Sequence, residues 1–381
     1  MSVITLPVAN GSSEPFDFPA IAPVEPAGNA RNRIAYAAAH VVSEPGQRKA
    51  IDWEATLQFR EYLWGCNLGV AEAMDTAQRG AGLSWMQARE LIQRTLTAAQ
   101  TRSDALIACG CGTDQLEPAP TVTLEQVLRA YEEQMAWVEV HDGRIILMAS
   151  RALCTAARSA EDYVAVYDRL LTQARQPVII HWLGQMFDPD LAGYWGHDNI
   201  DQAMEVVLSL LSTHAVRVDG IKISVLDKSK EIAMRQRLPP GVRMYTGDDF
   251  DFAELIGGDE AGHSDALLGI FDAIAPAAGA ALHELASGRR SQFDAILAPC
   301  IPLSRHIFSA PTCFYKTGLV FLAWLNGHQD HFSMLAGHEG KRSFLHLADV
   351  FRLAAAGGLL RDPDLAVDRM RSFCQTHNMD G

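Results

Sequence analysis

The fold is decided by two apolar stretches, PVIIHWLG (177–184) and DGIKISV (219–225). Neither alternates apolar with polar residues, which is typical of strands buried on both faces. Six further runs of this kind are separated by longer segments, most with the period of amphipathic helices. They are RIAYAAAHV (33–41), LGVAEAM (68–74), ALIACGCG (105–112), RIILMAS (144–150), VRMYTG (242–247) and SDALLG (264–269). Strand–helix alternation implies parallel strands, and eight repeats predict a closed (β/α)₈ TIM barrel.

We expect this barrel to span residues 33–276. Residues 1–32 are rich in Pro, Gly and Ser without a helical period, and predict an extended N-terminal arm. After residue 276 only helical segments ended by Gly remain, so 277–381 is predicted to be a helical extension. An open doubly wound sheet is the alternative, but it should offer a phosphate-binding glycine cluster after its first strand, and none follows the first run.

The composition narrows the functional class. Of 381 residues, 48% are hydrophobic and 20% are charged, as in a globular protein. A net charge of −14 without any basic block argues against a nucleic-acid partner or an anionic membrane surface. No membrane-length apolar run or signal peptide is found, and the seven cysteines form no C-x-x-C pair. We therefore expect a cytoplasmic protein with reduced thiols and a small-molecule partner.

Active sites of such barrels lie at the carboxyl ends of the strands, and Lys222 in DGIKISV is the most informative residue there. Burial in an apolar strand lowers the pKa of a lysine. The resulting neutral amine can attack a ketone and form a Schiff base. Alternatively, Lys222 is structural and pairs with a carboxylate at a strand end, such as Glu72 or Asp248.

These residues resemble the dihydrodipicolinate synthase / N-acetylneuraminate lyase superfamily of class I aldolases. The resemblance rests on PVIIHW, on DGIKIS and on YTGDD (245–249). A closer resemblance, over nearly the whole chain, is to the branch labelled DUF993. It rests on GVAEAMDTAQRG (69–80), ACGCGTDQL (108–116), HWLGQMFDP (181–189), GYWGHDN (193–199) and FYKTGLVFLAWLNGHQDHF (314–332).

The resemblance implies roles for individual residues. Lys222 matches the Schiff-base lysine, and His181 stands where the superfamily has a proton-shuttling tyrosine. Histidine can perform the same task near neutral pH, although a packed structural histidine is the alternative. Gly247 and Asp248 match the turn that closes the site.

Two departures from the superfamily bear on the substrate. Thr76 falls where the superfamily binds the carboxylate of a 2-oxo acid, but the acidic Asp75 precedes it. The arginine after strand five that binds the second substrate of the synthase is replaced by Gln185 and Met186, so lysine biosynthesis is not expected. The loop after strand five is rich in aromatic and hydrogen-bonding groups, which suit a neutral polyhydroxylated ligand.

The remaining candidate contacts follow predicted strands. Arg151 is placed to meet a carboxylate or an oxyanion, or else pairs with Glu72 or Asp75. The expected substrate-binding residues are Asp75, Thr76, Arg151, Trp182, Tyr194, His197, Gly247, Asp248 and His263.

The sequence thus predicts a Schiff-base-forming lyase, aldolase or dehydratase that acts on a keto sugar or a 2-oxo-3-deoxy sugar acid. No cofactor and no metal are expected, and related barrels suggest a homodimer or homotetramer. The alternative is a divalent-metal-dependent sugar isomerase or aldolase. Its ligands would come from Glu72, Asp75, His181, Asp248 and His263.

Overall fold

The computed structural model describes residues 3–9, 12–26 and 28–376. Eight short parallel strands form a closed barrel in which each strand pairs with the next and the eighth with the first. In chain order they are β1 Ala35–Ala38, β2 Gly69–Glu72, β3 Ile107–Cys111, β4 Ile145–Leu147, β5 Val178–Leu183, β6 Val218–Ser224, β7 Arg243–Thr246 and β8 Asp265–Leu268. Each coincides with one of the eight apolar runs, so the predicted barrel is confirmed.

Helices follow the strands as the periodicity indicated. Their bounds are α1 Trp53–Gly65, α2 Trp85–Ala99, α3 Leu124–Val140, α4 Arg151–Ala156, α5 Ala160–Gln173, α6 Ile200–Thr213, α7 Lys228–Arg235 and α8 Phe252–Gly257. Helices α2 and α3 begin with capping boxes, in which Ser84 and Thr123 exchange hydrogen bonds with the residues three positions later. Such caps satisfy backbone N–H groups that a helix start leaves free.

The barrel interior is a packed apolar core rather than a pore. Its members come from the strands and the residues just beyond them, and include several alanines that leave room for larger rings. They are Tyr36, Ala38, Ala71, Met74, Ala108, Ile146, Met148, Ile179, Tyr245 and Leu267. Side chains alternate between the two faces of a strand. On each strand, the residues two positions away from these core residues therefore also point inward.

The chain divides into two compact units. One comprises residues 33–39 and 68–269, and it contains all eight strands together with α2–α8. The other comprises the described parts of 1–32, 40–67 and 270–381. The sequence-based division at residues 32 and 276 stays a prediction.

The second unit is mainly helical. After β8 its helices are α9 Ile270–Ala273, α10 Ala275–Ala286, α11 Arg290–Leu297, α12 Cys300–Ile307, α13 Tyr315–Leu325, α14 Phe344–Ala356 and α15 Pro363–Thr376. The predicted arm contains an antiparallel pair, Val3–Pro7 with Ser13–Asp17. A second pair joins Ser43–Glu44 to Gln47–Ile51. The helical character of the C-terminal region is confirmed.

Two further findings concern the sequence-based exclusions. Among the residues that the structure describes, no helix is both long and apolar enough to cross a bilayer. All seven cysteines are free thiols.

Candidate active site

Lys222 lies on β6, two residues before the end of the strand, and only 5% of it is exposed. Its neighbours in register are His181 on β5 and Tyr245 on β7. Residues paired in this way project from the same face of a sheet, and Tyr245 belongs to the interior core. Lys222 and His181 therefore lie side by side and point into the barrel.

The charge state of Lys222 is set by opposing effects. Burial lowers its pKa because the ammonium loses hydration. The carboxylates of Asp75 and Asp249 act in the opposite direction, but burial dominates. Burial thus shifts the equilibrium of Lys222 toward the neutral amine, while Asp75 and Asp249 place negative charge that would stabilise a cation on the same nitrogen.

His181 is fully buried and only partly hydrogen-bonded. The Ser224 hydroxyl lies 3.3 Å from its Nε2, whereas its Nδ1 has no hydrogen-bond partner within the described residues. Burial and the charge of Lys222 lower the pKa of His181 well below its usual range, and Asp75 partly opposes them. The imidazole is therefore neutral near pH 7 and able to accept a proton.

Gly247 directly follows β7, where the backbone passes close to the lysine. A Cβ atom added at this position would lie 2.7 Å from Cε of Lys222 and 2.7 Å from the carbonyl oxygen of Ile223, and it would overlap the Ser224 hydroxyl. The backbone N–H of Gly247 also donates to that carbonyl at 3.0 Å. Only glycine lets the turn approach so closely, and its predicted part in closing the site stays a prediction.

The two aspartates after Gly247 differ in role. Oδ1 of Asp248 accepts hydrogen bonds from the backbone N–H groups of Phe250 and Asp251, at 2.9 and 3.0 Å. Burial raises the pKa of Asp248. Asp248 thus shapes the turn, while the charge of Asp249 acts on Lys222. Asp249 was not singled out from the sequence, because the motif DD does not show which carboxylate faces the lysine.

A cleft of about 650 Å³ opens at the carboxyl ends of β2–β5. Asp75 lines it from the short 3₁₀ helix Asp75–Ala77, and the following Thr76 is buried without lining it. The hydroxyls of Thr113 and Ser150, which also line the cleft, are 2.5 Å apart. Leu183, two residues beyond His181 on β5, also lines the cleft, which therefore lies at the same carboxyl end of the barrel as Lys222.

Arg151 lines the cleft but is already paired. Its Nε lies 2.6 Å from Asp188 and 3.6 Å from Asp190, so neither pairing considered from the sequence, with Glu72 or Asp75, is found. Its side chain is 40% exposed. Arg151 therefore borders the cleft as part of an ion pair rather than as a free cation.

Arg79 is a cleft residue that sequence analysis missed. It binds both carboxylate oxygens of Asp114, the side chain of Gln134 at 2.8 Å, and the carbonyls of Ala73 and Gly110 at 3.1 and 3.2 Å. These five bonds equal the number of N–H donors on a guanidinium. Arg79 thus ties together the loops after β2 and β3.

The aromatic residues after β5 do not reach the cleft. The Tyr194 hydroxyl accepts the backbone N–H of Ser150 at 3.1 Å and lies 3.0 Å from the Tyr167 hydroxyl. Trp182 alternates with the inward His181 and packs edge-on against Trp195. The structure therefore assigns Trp182 and Tyr194 to packing rather than to the predicted substrate contacts.

His197 and His263 also lie apart from the lysine. His197 is half-buried near Glu161, whose pKa it helps to lower. His263 precedes β8 and so lies at the opposite end of the barrel from Lys222, whereas the sequence placed it after a strand. The placement after a strand was wrong, because His263 directly precedes the run SDALLG (264–269) that forms β8.

The metal-binding alternative requires ligands that converge. Glu72 points away from the interior and accepts hydrogen bonds from Thr95 on α2 and from the backbone of Ala73. With Asp248 engaged by its own turn and His263 at the far end, the proposed ligand set is dispersed. Within residues 3–9, 12–26 and 28–376, no group of three His, Cys, Asp or Glu side chains is placed to hold a metal ion.

Comparison with known proteins gives one family and one fold. The family model "Protein of unknown function (DUF993)" matches residues 4–379. A prophage protein of the dihydrodipicolinic acid synthase family from E. coli K12, in complex with pyruvate, aligns with a TM-score of 0.64 at 10% identity, covering 91% of this chain and 99% of that one.

Two synthases are similarly related. Dihydrodipicolinate synthase from Bacillus clausii has a TM-score of 0.63 at 12% identity and covers 86% of this chain and 98% of its own. The enzyme from Aquifex aeolicus has a TM-score of 0.60 at 11% identity, covering 91% and 98%. No curated protein matches the chain by sequence. The chain belongs to the DUF993 family and shares the fold of the dihydrodipicolinate synthase family.

Proposed function

We propose that this DUF993 protein is a Schiff-base-forming lyase, aldolase or dehydratase that acts on a keto sugar or a 2-oxo-3-deoxy sugar acid. The observation that carries the proposal is the pair Lys222 and His181. Both are buried, both point into the barrel from adjacent strands, and both lie at its carboxyl end. A buried amine with a lowered pKa beside an imidazole is the pair of groups that imine chemistry requires.

The chemistry follows from these two groups. Nζ of Lys222 attacks the substrate carbonyl carbon, and the resulting carbinolamine loses water to give a protonated imine. His181 then takes the proton of the substrate's β-hydroxyl, the bond between the α- and β-carbons breaks, and its electron pair moves into the enamine while the β-carbon fragment leaves as an aldehyde or ketone. Returning that proton to the enamine carbon regenerates the imine, which water hydrolyses. In a dehydratase His181 instead removes a proton from the α-carbon to give the enamine, and the β-hydroxyl leaves as water with that proton as its C–O bond breaks.

The same site argues against dihydrodipicolinate synthesis. Gln185 and Met186 occupy the positions where the superfamily resemblance would place the arginine for the second substrate's carboxylate. Arg151, the nearby cation of the cleft, is paired with Asp188. No observation favours the metal-dependent alternative, because its ligand set is dispersed.

Borohydride trapping tests the proposal. The protein is incubated with candidate keto sugars and keto acids and then reduced, and any adduct is located by peptide mass spectrometry. We expect an adduct at Lys222 that is absent from Lys222→Ala, and unchanged in Lys228→Ala, which removes an exposed lysine. Unchanged turnover by Lys222→Ala would contradict the proposal. So would the absence of any adduct in a preparation whose activity EDTA abolishes.

A further inference from the structure

The cleft beside Lys222 carries an excess of negative charge. Carboxylates in its lining outnumber guanidinium groups by five to two. The carboxylates are Asp75, Asp114, Glu117, Asp188 and Asp190, and the guanidinium groups are Arg79 and Arg151. A ligand that enters this cleft therefore meets a negative potential, which disfavours a second anion.

The two arginines do not offer a free positive charge to an anionic ligand. Every N–H donor of Arg79 is used by Asp114, Gln134 and two backbone carbonyls, so none remains for a ligand carboxylate. Arg151 is held by Asp188 at 2.6 Å, with Asp190 beyond it at 3.6 Å. Binding an anion at Arg151 would have to compete with both of these carboxylates.

The charges around Lys222 also disfavour a substrate that carries a carboxylate. In a 2-oxo acid the carboxylate is attached to the carbon that Lys222 attacks, so it must sit within a few ångströms of Nζ. Asp75 lies close enough to act on both Lys222 and His181, and Asp249 acts on Lys222 from the β7 turn. A substrate carboxylate would be repelled by both, whereas a protonated imine without a carboxylate is stabilised by both.

The polar groups that remain in the cleft suit hydroxyl groups. The Thr113 and Ser150 hydroxyls line the cleft as a mutually hydrogen-bonded pair, and carboxylates such as Asp75 and Glu117 accept hydrogen bonds. Sugar hydroxyls supply donors for these acceptors and acceptors for these donors, and they carry no charge.

We propose that the substrate of Lys222 is a neutral polyhydroxylated ketone, without a carboxylate or phosphate group, whose distal hydroxyls occupy the cleft of Asp75, Thr113 and Ser150. This inference rests on the proposed Schiff-base function and selects between its two substrate classes. The amine adds to the ketone, water leaves, and the positive charge of the imine is balanced by Asp75 and Asp249.

Competitive trapping tests the inference with two ketones of equal carbon number. Dihydroxyacetone is neutral and pyruvate is an anion. Each is incubated separately with the protein and with Nα-acetyl-lysine in the presence of cyanoborohydride, and the rate of Lys222 labelling is divided by the rate for the free amine. We expect this corrected rate to favour dihydroxyacetone at least tenfold in the wild type.

Variants identify the origin of the preference. Asp75→Asn should reduce the preference for dihydroxyacetone several-fold by admitting pyruvate. Glu260→Gln removes the same charge from an exposed site in the loop before β8, at the far end of the barrel, and should leave the ratio unchanged. Equal or better labelling by pyruvate in the wild type, or a ratio that Asp75→Asn does not change, would overturn the inference while leaving the imine function intact. Labelling of Lys222 by neither ketone would refute the imine function, and the inference with it.

Discussion

Glu231 on α7 is a buried carboxyl group whose removal should change how stability depends on pH. Its Oε2 accepts the Thr246 hydroxyl at 2.9 Å, and its Oε1 accepts the Ser264 hydroxyl at 2.7 Å. The Thr246 oxygen in turn accepts the backbone N–H of Asp248 at 3.2 Å. Glu231 thus connects α7 to β7 and to the residue before β8.

The size of the effect follows from its pKa. Burial, despite the two hydroxyl donors, raises the pKa of Glu231 from 4.5 to about 8. A carboxyl group whose pKa is higher in the folded state contributes stability that is complete below about pH 4.5 and is lost as pH rises to about 8. At about 1.36 kcal/mol per pH unit, the full interval corresponds to roughly 5 kcal/mol. Glu231→Gln cannot titrate, so it should lack this loss.

Urea unfolding followed by circular dichroism at pH 5, 6, 7, 8 and 9 measures the effect. Relative to the wild type, Glu231→Gln should become steadily more stable between pH 5 and 8, by up to a few kcal/mol, and the difference should level off above pH 8. Glu260→Gln, at an exposed site, should show no such trend. A difference between Glu231→Gln and wild type that stays constant with pH would refute the reasoning. A wild type that gains on the variant as pH rises would show that the hydroxyls, not burial, control the carboxyl group.

Two further substitutions probe the site directly. Gly247→Ala places a methyl group 2.7 Å from Cε of Lys222 and should cost about 1–3 kcal/mol in urea unfolding, with a loss of roughly 10²-fold in imine formation. Gly340→Ala, where an added Cβ meets nothing within 4 Å, is the control, and equal trapping by both variants would contradict the steric argument. His181→Gln should lower turnover by about 10²- to 10⁴-fold while Lys222 is still labelled. Because burial lowers the pKa of His181, the wild-type pH–rate profile should show no step near pH 6.5 that the variant removes.

The fold was predictable because burial on both faces leaves an unmistakable pattern in the sequence. Every strand of the barrel coincides with an apolar run, and the run at 219–225 placed Lys222 on a barrel strand near its carboxyl end. The side-by-side position of Lys222 and His181 then follows from the parallel pairing of β5 with β6. Periodicity carried no information about the side chains in the loops, where most of the cleft lies.

The loop after β5 shows why its residues were misjudged. Trp195 adopts a φ of 69°, between two glycines that also have positive φ, and this backbone turns Tyr194 and Trp195 inward against Tyr167. Composition suggested a sugar-binding surface, but a left-handed conformation at a tryptophan cannot be read from residue types. Arg79 was missed for a related reason, since its partner Asp114 is 35 residues away and nothing local indicates their pairing.

The acidic surroundings of Lys222 combine two requirements that conflict in a single buried amine. Attack on a ketone needs the neutral amine, which burial favours by lowering the pKa of Lys222. The imine that forms is a cation, and burial alone would destabilise it as strongly as it destabilises the ammonium. The carboxylates of Asp75, which follows β2, and Asp249, which follows β7, offset this cost of burying a cation. In the reaction that we propose, the protein thus supplies the negative charge beside the imine, so a carboxylate on the substrate is not needed and would be repelled.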